Sequence, residues 1–140
     1  MTMDSPPKVL LVDDEERFRM TTARLLRVRG FDAVPVGSAK EALEELWNRD
    51  YDVVVLDVRM PGMSGIEALA EIKRIRPEVE VIILTGHASV DAAVEIMRLG
   101  GYEYLLKPCP IDDLVDKIER AFERRQSRHK KVSKTPQGGG

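Results

Sequence analysis

The stretch VVVLDVRMPGMSG, residues 53–65, decides the fold class of this chain. It begins with four apolar residues in succession, Val53–Leu56, a pattern typical of a strand that is buried on both faces of a parallel sheet. The run continues directly into Asp57, and proline and glycine then interrupt the chain. Because aspartate is seldom buried, a core strand that ends on a carboxylate indicates a polar site at the end of this strand.

Strand-like runs alternate with amphipathic helical segments along the chain. Gly30 follows the first helical pattern as a stop signal, and Ser-x-x-Glu capping boxes at Ser38 and Ser64 open the second and third helices. The periodicity places Leu25 of the first helix and Trp47 of the second helix on apolar faces. Five such units predict a doubly wound α/β fold with a five-stranded parallel sheet and helices on both faces. The predicted strands are residues 8–12, 33–36, 53–56, 79–84 and 104–106.

The composition bounds the class of protein. At 140 residues and 43% apolar content, the chain fits a single domain with a sizeable core. Its single cysteine, Cys109, excludes an internal disulfide and is typical of a reducing compartment. The first residues lack the apolar stretch of a signal peptide, and no apolar run is long enough for a membrane span. We therefore expect a cytoplasmic protein without membrane contact.

Charge is unevenly distributed along the chain. The formal net charge is −2, but the segment after Glu123 contains several basic residues and no acid. The preceding part is therefore acidic, which argues against nucleic-acid binding by this domain. Residues 126–140 show no apolar periodicity and are predicted to form a basic disordered tail or a truncated linker. Binding of this tail to acidic partners or to nucleic acid is the alternative.

Polar side chains follow four of the five predicted strands. In an open α/β sheet, ligands bind beyond the carboxyl ends of the strands, so we expect these side chains to meet at one edge. Three carboxylates close together repel one another, and Mg²⁺, which takes oxygen ligands, relieves that repulsion. A lysine beside them suits a phosphate, and a carboxylate held between a metal and a lysine can form an aspartyl phosphate. The residues concerned are Asp13 and Asp14 after the first strand, Asp57 after the third, Thr85 after the fourth and Lys107 after the fifth.

Four segments closely resemble the receiver domain of bacterial two-component response regulators. They are LLVDDEE, VVVLDVRMPGMSG, VIILTGHA and YEYLLKP, in the order and at the intervals typical of that family. The resemblance covers residues 7–125 and leaves residues 1–6 as an N-terminal extension. It implies a flavodoxin-like (βα)5 fold with strand order 2-1-3-4-5. The stretch TGHASVDAAVEIMRLGGYEYLLKP is also similar to receivers of nitrogen-regulation-type activators.

The resemblance implies a role for each candidate residue of the metal and phosphate site. Asp57 corresponds to the phosphoacceptor and Lys107 to the lysine that contacts the phosphoryl group. Asp14 corresponds to the direct Mg²⁺ ligand, Asp13 to its water-mediated partner, and the backbone carbonyl of Arg59 to a further ligand. The family also implies a cis peptide bond after the lysine.

On this interpretation the chain is a signalling switch and not a metabolic enzyme. A histidine kinase or a phosphotransfer protein donates phosphate to Asp57, and the domain assists its own phosphorylation and dephosphorylation. Thr85 and Tyr104 correspond to the switch pair of the family. The face formed by the fourth helix, the fifth strand and the fifth helix is then expected to change and to bind a partner or a second copy of the chain.

Three other classes of protein share parts of this pattern. A flavodoxin-like cofactor carrier has the same topology, but its phosphate loop is rich in serine, threonine and glycine, where this chain has DDEE. An aspartate-nucleophile phosphohydrolase usually has a second acid two residues after the nucleophile, where this chain has Arg59. A non-phosphorylated interaction module is the alternative that stays open, although such modules normally lack one of the acids or the lysine.

Overall fold

The computed structural model describes residues 5–59, 62–86 and 90–139, and within them the side chains up to residue 128 except that of Val90. Strands and helices alternate, as predicted, and the bounds of β2, β4 and β5 differ from the predicted ones by one residue. In chain order the elements are β1 (Lys8–Val12), α1 (Glu16–Val28), β2 (Asp32–Val36), α2 (Ala39–Asn48), β3 (Val53–Leu56), α3 (Gly65–Ile75), β4 (Glu80–Thr85), α4 (Val90–Arg98), β5 (Glu103–Leu106) and α5 (Ile111–Gly139).

The five strands form one parallel sheet in the order β2-β1-β3-β4-β5. This doubly wound order confirms the fold that the sequence predicts. β3 lies at the centre, where Val54 pairs with Leu10 of β1 and with Val81 of β4. All four residues of β3 are buried, which explains why this segment lacks the alternation of polar and apolar residues found in half-exposed strands.

Alternate residues of the strands contribute to two hydrophobic layers, one on each face of the sheet. Leu10, Val54 and Ile83 belong to the layer that packs against α2, α3 and α4. Val9 and Val55 belong to the layer that packs against α1 and α5. Burial of apolar side chains on both faces is the main source of stability, and it holds the carboxyl ends of the strands at one common edge.

Two of the predicted helix starts have defined hydrogen bonds. The Ser64 hydroxyl accepts the Glu67 N–H at 3.1 Å, and the Glu67 carboxylate accepts the Ser64 N–H at 3.0 Å, so this capping box is complete. At α2 the Ser38 hydroxyl accepts the Glu41 N–H, but the Glu41 carboxylate accepts the N–H of Gly37 instead of that of Ser38. Both arrangements satisfy amides that a helix N-terminus leaves unpaired.

For two helical residues, the predicted orientation towards the core is wrong. Trp47 is 69% exposed and Leu25 is 41% exposed, although the periodicity directs both towards the core. Each is adjacent to a fully buried leucine, Leu46 or Leu26. Successive residues of a helix point about 100° apart, so the helix that buries the leucine turns its neighbour towards solvent.

The C-terminal segment is helical although its sequence shows no apolar periodicity. Residues 126–140 are predicted to form a basic disordered tail or a truncated linker, and in the structure α5 continues through Gly139. Arginine and lysine, which are frequent here, favour helices. In addition, Arg125 lies 3.0 Å from Asp52, and Arg128 lies 2.8 Å from the buried Glu80, at the amino-terminal edge of the sheet. Apolar periodicity, the basis of the prediction, detects neither effect.

Candidate functional site

Backbone hydrogen bonds continue beyond the strands and hold the residues at the carboxyl edge of the sheet. The Asp57 N–H donates to the carbonyl of Val12 at 3.0 Å, and the Lys107 N–H donates to the carbonyl of Thr85 at 2.8 Å. Each of these polar residues is therefore anchored by its main chain to a neighbouring strand. A site built on such rigid elements holds its side chains more accurately than a site built on loops.

Asp13, Asp14 and Asp57 form an acidic cluster at this edge. One carboxylate oxygen of each residue lies within 4.8 Å of those of the other two. Asp13 and Asp57 are buried, with 1% and 6% exposure, whereas Asp14 is exposed. The structure thus brings together the three carboxylates that follow the first and third strands, at a spacing that lets one cation contact all of them.

The two buried carboxylates are oriented by main-chain amides. Asp57 Oδ1 accepts the N–H of Arg59 at 2.9 Å, and Asp13 Oδ1 accepts the N–H of Glu15 at 2.9 Å. In both residues the other oxygen, Oδ2, is bonded to the ammonium group of Lys107. Arg59 is therefore at the site, while a ligand role for its carbonyl stays a prediction.

Lys107 lies at the centre of the carboxylates. Its Nζ is 2.7 Å from Asp13 Oδ2 and 3.2 Å from Asp57 Oδ2. The same Nζ is 3.0 Å from Glu15 Oε1 and 4.1 Å from the centre of the Phe18 ring. Burial alone would lower the pKa of Lys107, but the hydrogen bonds to Asp13 and Glu15 outweigh it and raise the pKa above its ordinary value. The lysine is therefore cationic at physiological pH.

The balance of charge at the cluster favours a cation. Burial raises the pKa of Asp13 above its ordinary value, although the bonds from Lys107 and from the Glu15 N–H oppose this rise. The folded domain thus holds a proton on Asp13 more tightly than the unfolded chain does. The resulting stabilisation is present below the unfolded pKa and is lost as the pH rises through the folded pKa. A divalent cation can replace that proton, and carboxylate oxygens are the ligands that Mg²⁺ prefers, so these residues fit the metal.

Thr85 and Tyr104 lie on neighbouring strands at the same edge. Thr85 is the last residue of β4, is completely buried, and pairs with Leu106 of β5. Tyr104 precedes Leu106 by two positions and is half-buried, so both side chains are on one face of the sheet. The peptide bond between Lys107 and Pro108 is cis, as the resemblance implies.

Among the described residues, three more contact the site, and no sequence pattern specific for the site identifies them. Glu15 bonds to Lys107, the Phe18 ring packs against the same ammonium group, and Arg19 donates to the Asp13 carbonyl at 3.0 Å. In the sequence Glu15 belongs to an acidic run and Phe18 to the apolar face of a helix. Each therefore has an ordinary structural interpretation, and the contacts emerge only from the fold.

Comparison with known proteins identifies the family. The model of the response regulator receiver domain matches residues 9–119. A receiver domain protein from Clostridium thermocellum has a TM-score of 0.81 and 38% identity, over 86% of this chain and 97% of that one. The regulator TrrA of Thermotoga maritima, solved in complex with Mg²⁺ and BeF, has a TM-score of 0.75 and 29% identity, over 82% of this chain and 98% of that one. The chain belongs to the response regulator receiver domain family.

Curated relatives place the chain more closely within this family. The DNA-binding transcriptional regulator NtrC of Escherichia coli (strain K12) is 39% identical over 118 residues, which are 84% of this chain and 25% of that protein. The resemblance to receivers of nitrogen-regulation-type activators is thereby confirmed. The chain spans about a quarter of the length of the curated relatives it matches, and it is a signalling domain of the two-component type.

Across the described residues, no helix combines the length and the apolar character that a membrane span requires.

Proposed function

We propose that Asp57 is the phosphoacceptor of this domain and that a histidine kinase or a phosphotransfer protein is the donor. The observation that carries this proposal is the placement of the Asp57 carboxylate. One oxygen is fixed by the Arg59 N–H, and the other lies 3.2 Å from the Lys107 ammonium group. An open cavity lined by Asp14, Arg59 and Lys107, among others, gives access to it. Fixed orientation and a neighbouring cation are what an attacking carboxylate requires.

The acidic cluster is proposed to hold Mg²⁺ as the cofactor. Asp14 and Asp57 would supply direct carboxylate ligands, Asp13 a water-mediated contact, and the carbonyl of Arg59 a backbone ligand. Support comes from their spacing within 4.8 Å and from the Mg²⁺ present in the similar TrrA structure. When bound, Mg²⁺ neutralises the carboxylates and stabilises the negative charge on phosphoryl oxygens.

The proposed reaction transfers a phosphoryl group from a histidine of the donor to Asp57. An oxygen of Asp57 attacks the phosphorus of a phosphohistidine, and a P–O bond forms as the P–N bond breaks, with the electron pair staying on the imidazole nitrogen. Lys107 stays beside the transferred group and compensates its charge. Hydrolysis of the acyl phosphate by water then releases inorganic phosphate and regenerates the Asp57 carboxylate. The domain thus assists its own phosphorylation and its own dephosphorylation.

Labelling with acetyl phosphate tests this proposal without the kinase. We expect incorporation of phosphate with Mg²⁺ and little or none in excess chelator, because the acidic cluster otherwise repels an anionic donor. Intact-protein mass spectrometry measures incorporation, and borohydride reduction followed by peptide mapping identifies the acceptor. Incorporation that does not depend on the metal, or a label on a residue other than Asp57, would contradict the proposal.

We further propose that the α4–β5–α5 face transmits the signal to a partner or to a second copy of the chain. Val94 and Met97 of α4 are 54% and 49% exposed, and Leu106 of β5 is 47% exposed. Val94 and Met97 line the same open groove, and exposed apolar side chains that cluster in this way favour a protein–protein contact. Leu106 of β5 pairs with Thr85 of β4. A residue of this face is therefore the direct neighbour, on the adjacent strand, of a residue at the site.

Thr85→Ala is expected to retain labelling of Asp57 but to lose most of the response of the α4–β5–α5 face. The Thr85 hydroxyl is proposed to turn towards the phosphoryl group and to make room for Tyr104, and a coupling of about 1–3 kcal/mol is ordinary for such a switch. Hydrogen exchange with and without beryllofluoride measures the response. Thr22→Ala truncates another buried threonine, on α1, and should respond like the wild type. Changes confined to the Asp57 loop in the wild type would contradict this mechanism.

We propose that this domain regulates a longer protein. The matched region is about a quarter of the DNA-binding regulator NtrC, and the acidic character of this domain argues against DNA contact by the domain itself. Residues 126–140, which include the C-terminal part of α5, are proposed as a linker to an output region. A reducing, cytoplasmic location fits the single cysteine, Cys109.

A further inference from the structure

Glu15 directs its carboxylate at Lys107. It is the N-cap residue of α1, and its side chain makes no capping bond to the first turn of that helix. Instead, Oε1 lies 3.0 Å from Lys107 Nζ. Lys107 therefore has a carboxylate partner in addition to Asp13 and Asp57 of the acidic cluster.

The three carboxylate partners of Lys107 differ in burial. The side chains of Asp13 and Asp57 are 2% and 7% exposed, whereas that of Glu15 is 65% exposed. Glu15 also lines the open cavity that gives access to Asp57. When Glu15 releases Lys107, water can hydrogen-bond to its carboxylate in place of the lysine. The buried carboxylates of Asp13 and Asp57 would instead each lose a hydrogen-bond partner that water does not readily replace.

Glu15 and an incoming phosphoryl group compete for the N–H donors of Lys107. An ammonium group has three N–H donors, and in this structure three carboxylates, at 2.7, 3.0 and 3.2 Å, accept from Lys107. An incoming phosphoryl oxygen can bond to Lys107 only when one of these partners leaves. Glu15 is the partner that leaves most readily, because it is the exposed one.

We propose that Glu15 is a positioning residue that slows the phosphorylation of Asp57 by holding Lys107 back from the incoming phosphoryl group. This inference rests on the function proposed above for Asp57. Breaking the ion pair between Glu15 and Lys107 contributes to the activation barrier for phosphorylation. The side chain at position 15 therefore affects the rate constant with which Asp57 accepts phosphate from a donor.

Two variants of Glu15 test the proposal. Glu15→Gln removes the charge at nearly constant size, and Glu15→Asp keeps the charge but shortens the reach by one methylene group. We expect both to raise the second-order rate constant for labelling by acetyl phosphate, at saturating Mg²⁺, by about twofold to fivefold, the range for an ion pair with an exposed partner. The matched control is Glu16→Gln, which removes an adjacent exposed acid without a described contact to Lys107. An unchanged rate for Glu15→Gln, or for Glu15→Asp, would overturn the proposal.

The ammonium protons of Lys107 provide a readout that is independent of phosphorylation. In metal-free protein we expect them to exchange with water faster in Glu15→Gln than in Glu16→Gln, as measured by ¹⁵N NMR. Equal exchange in the two variants would overturn the proposal. If no protein is labelled, wild type included, the function proposed for Asp57 fails, and the NMR comparison still decides whether Glu15 restrains Lys107.

Discussion

Asp57→Asn is expected to abolish labelling of this domain by acetyl phosphate or by a kinase. Asparagine is nearly the same size as aspartate, and its amide oxygen can still accept the Arg59 N–H, which Asp57 Oδ1 accepts at 2.9 Å. The amide lacks the negative charge and is a far weaker nucleophile, so the acyl phosphate cannot form. Phosphate incorporation, measured by intact-protein mass spectrometry with Mg²⁺ present, should fall to the background of unlabelled protein.

The substitution should have this effect without unfolding the domain. Asp57 is buried beside Asp13, so the loss of one charge relieves repulsion within the acidic cluster. Lys107 loses one partner but keeps its ion pairs with Asp13 and Glu15. The melting temperature in the absence of Mg²⁺ should therefore equal or exceed that of the wild type. Asp91→Asn changes an exposed acid in the first turn of α4 and is the matched control, which should be labelled normally. Labelling of Asp57→Asn at the wild-type rate would exclude Asp57 as the acceptor.

The parts of the site that depend on strand ends were predictable from the sequence. Asp13, Asp57 and Lys107 directly follow strands and Thr85 ends one. A parallel sheet places the carboxyl ends of its strands at one edge. Asp57 and Lys107 are 50 positions apart in sequence, but their proximity follows once the strand before each is recognised. The order of the strands required the resemblance to a family, because apolar periodicity identifies strands without arranging them.

Contacts that depend on the packing of helices against the sheet were not predictable. Glu80 begins a strand and has the sequence character of an exposed acid, but it is 1% exposed because arginines of α5 pair with it. Glu15 and Lys107 are 92 positions apart, and no local pattern connects them. Trp47 has core periodicity but faces solvent. Periodicity indicates which face of an element is apolar, whereas the neighbour at that face depends on the complete fold.

A second large effect is expected at Gly65, the first residue of α3, where the chain has no room for a side chain. A Cβ at this position would overlap the Cα of Val58 and lie 2.6 Å from its Cβ. The Gly65 N–H also donates to the Val58 carbonyl at 3.0 Å. Because the clash involves main chain, no change of rotamer relieves it. We expect Gly65→Ala to lower the free energy of unfolding by about 3 kcal/mol or more, as measured by urea denaturation followed by circular dichroism.

Gly86→Ala is the matched control for stability, because a Cβ at Gly86 meets no atom of the described residues within 4 Å. Its effect should stay within about 0.5 kcal/mol. The displacement at Gly65 should also reach the chemistry. Val58 follows Asp57 directly, so a shift of Val58 away from α3 disturbs the carboxylate that the Arg59 N–H orients. Labelling of Gly65→Ala should therefore be slower than that of the wild type, even at temperatures where the variant is folded. Equal stability of the two alanine variants would mean that the loop after β3 adjusts freely, and the rigid support proposed for Asp57 would then be wrong.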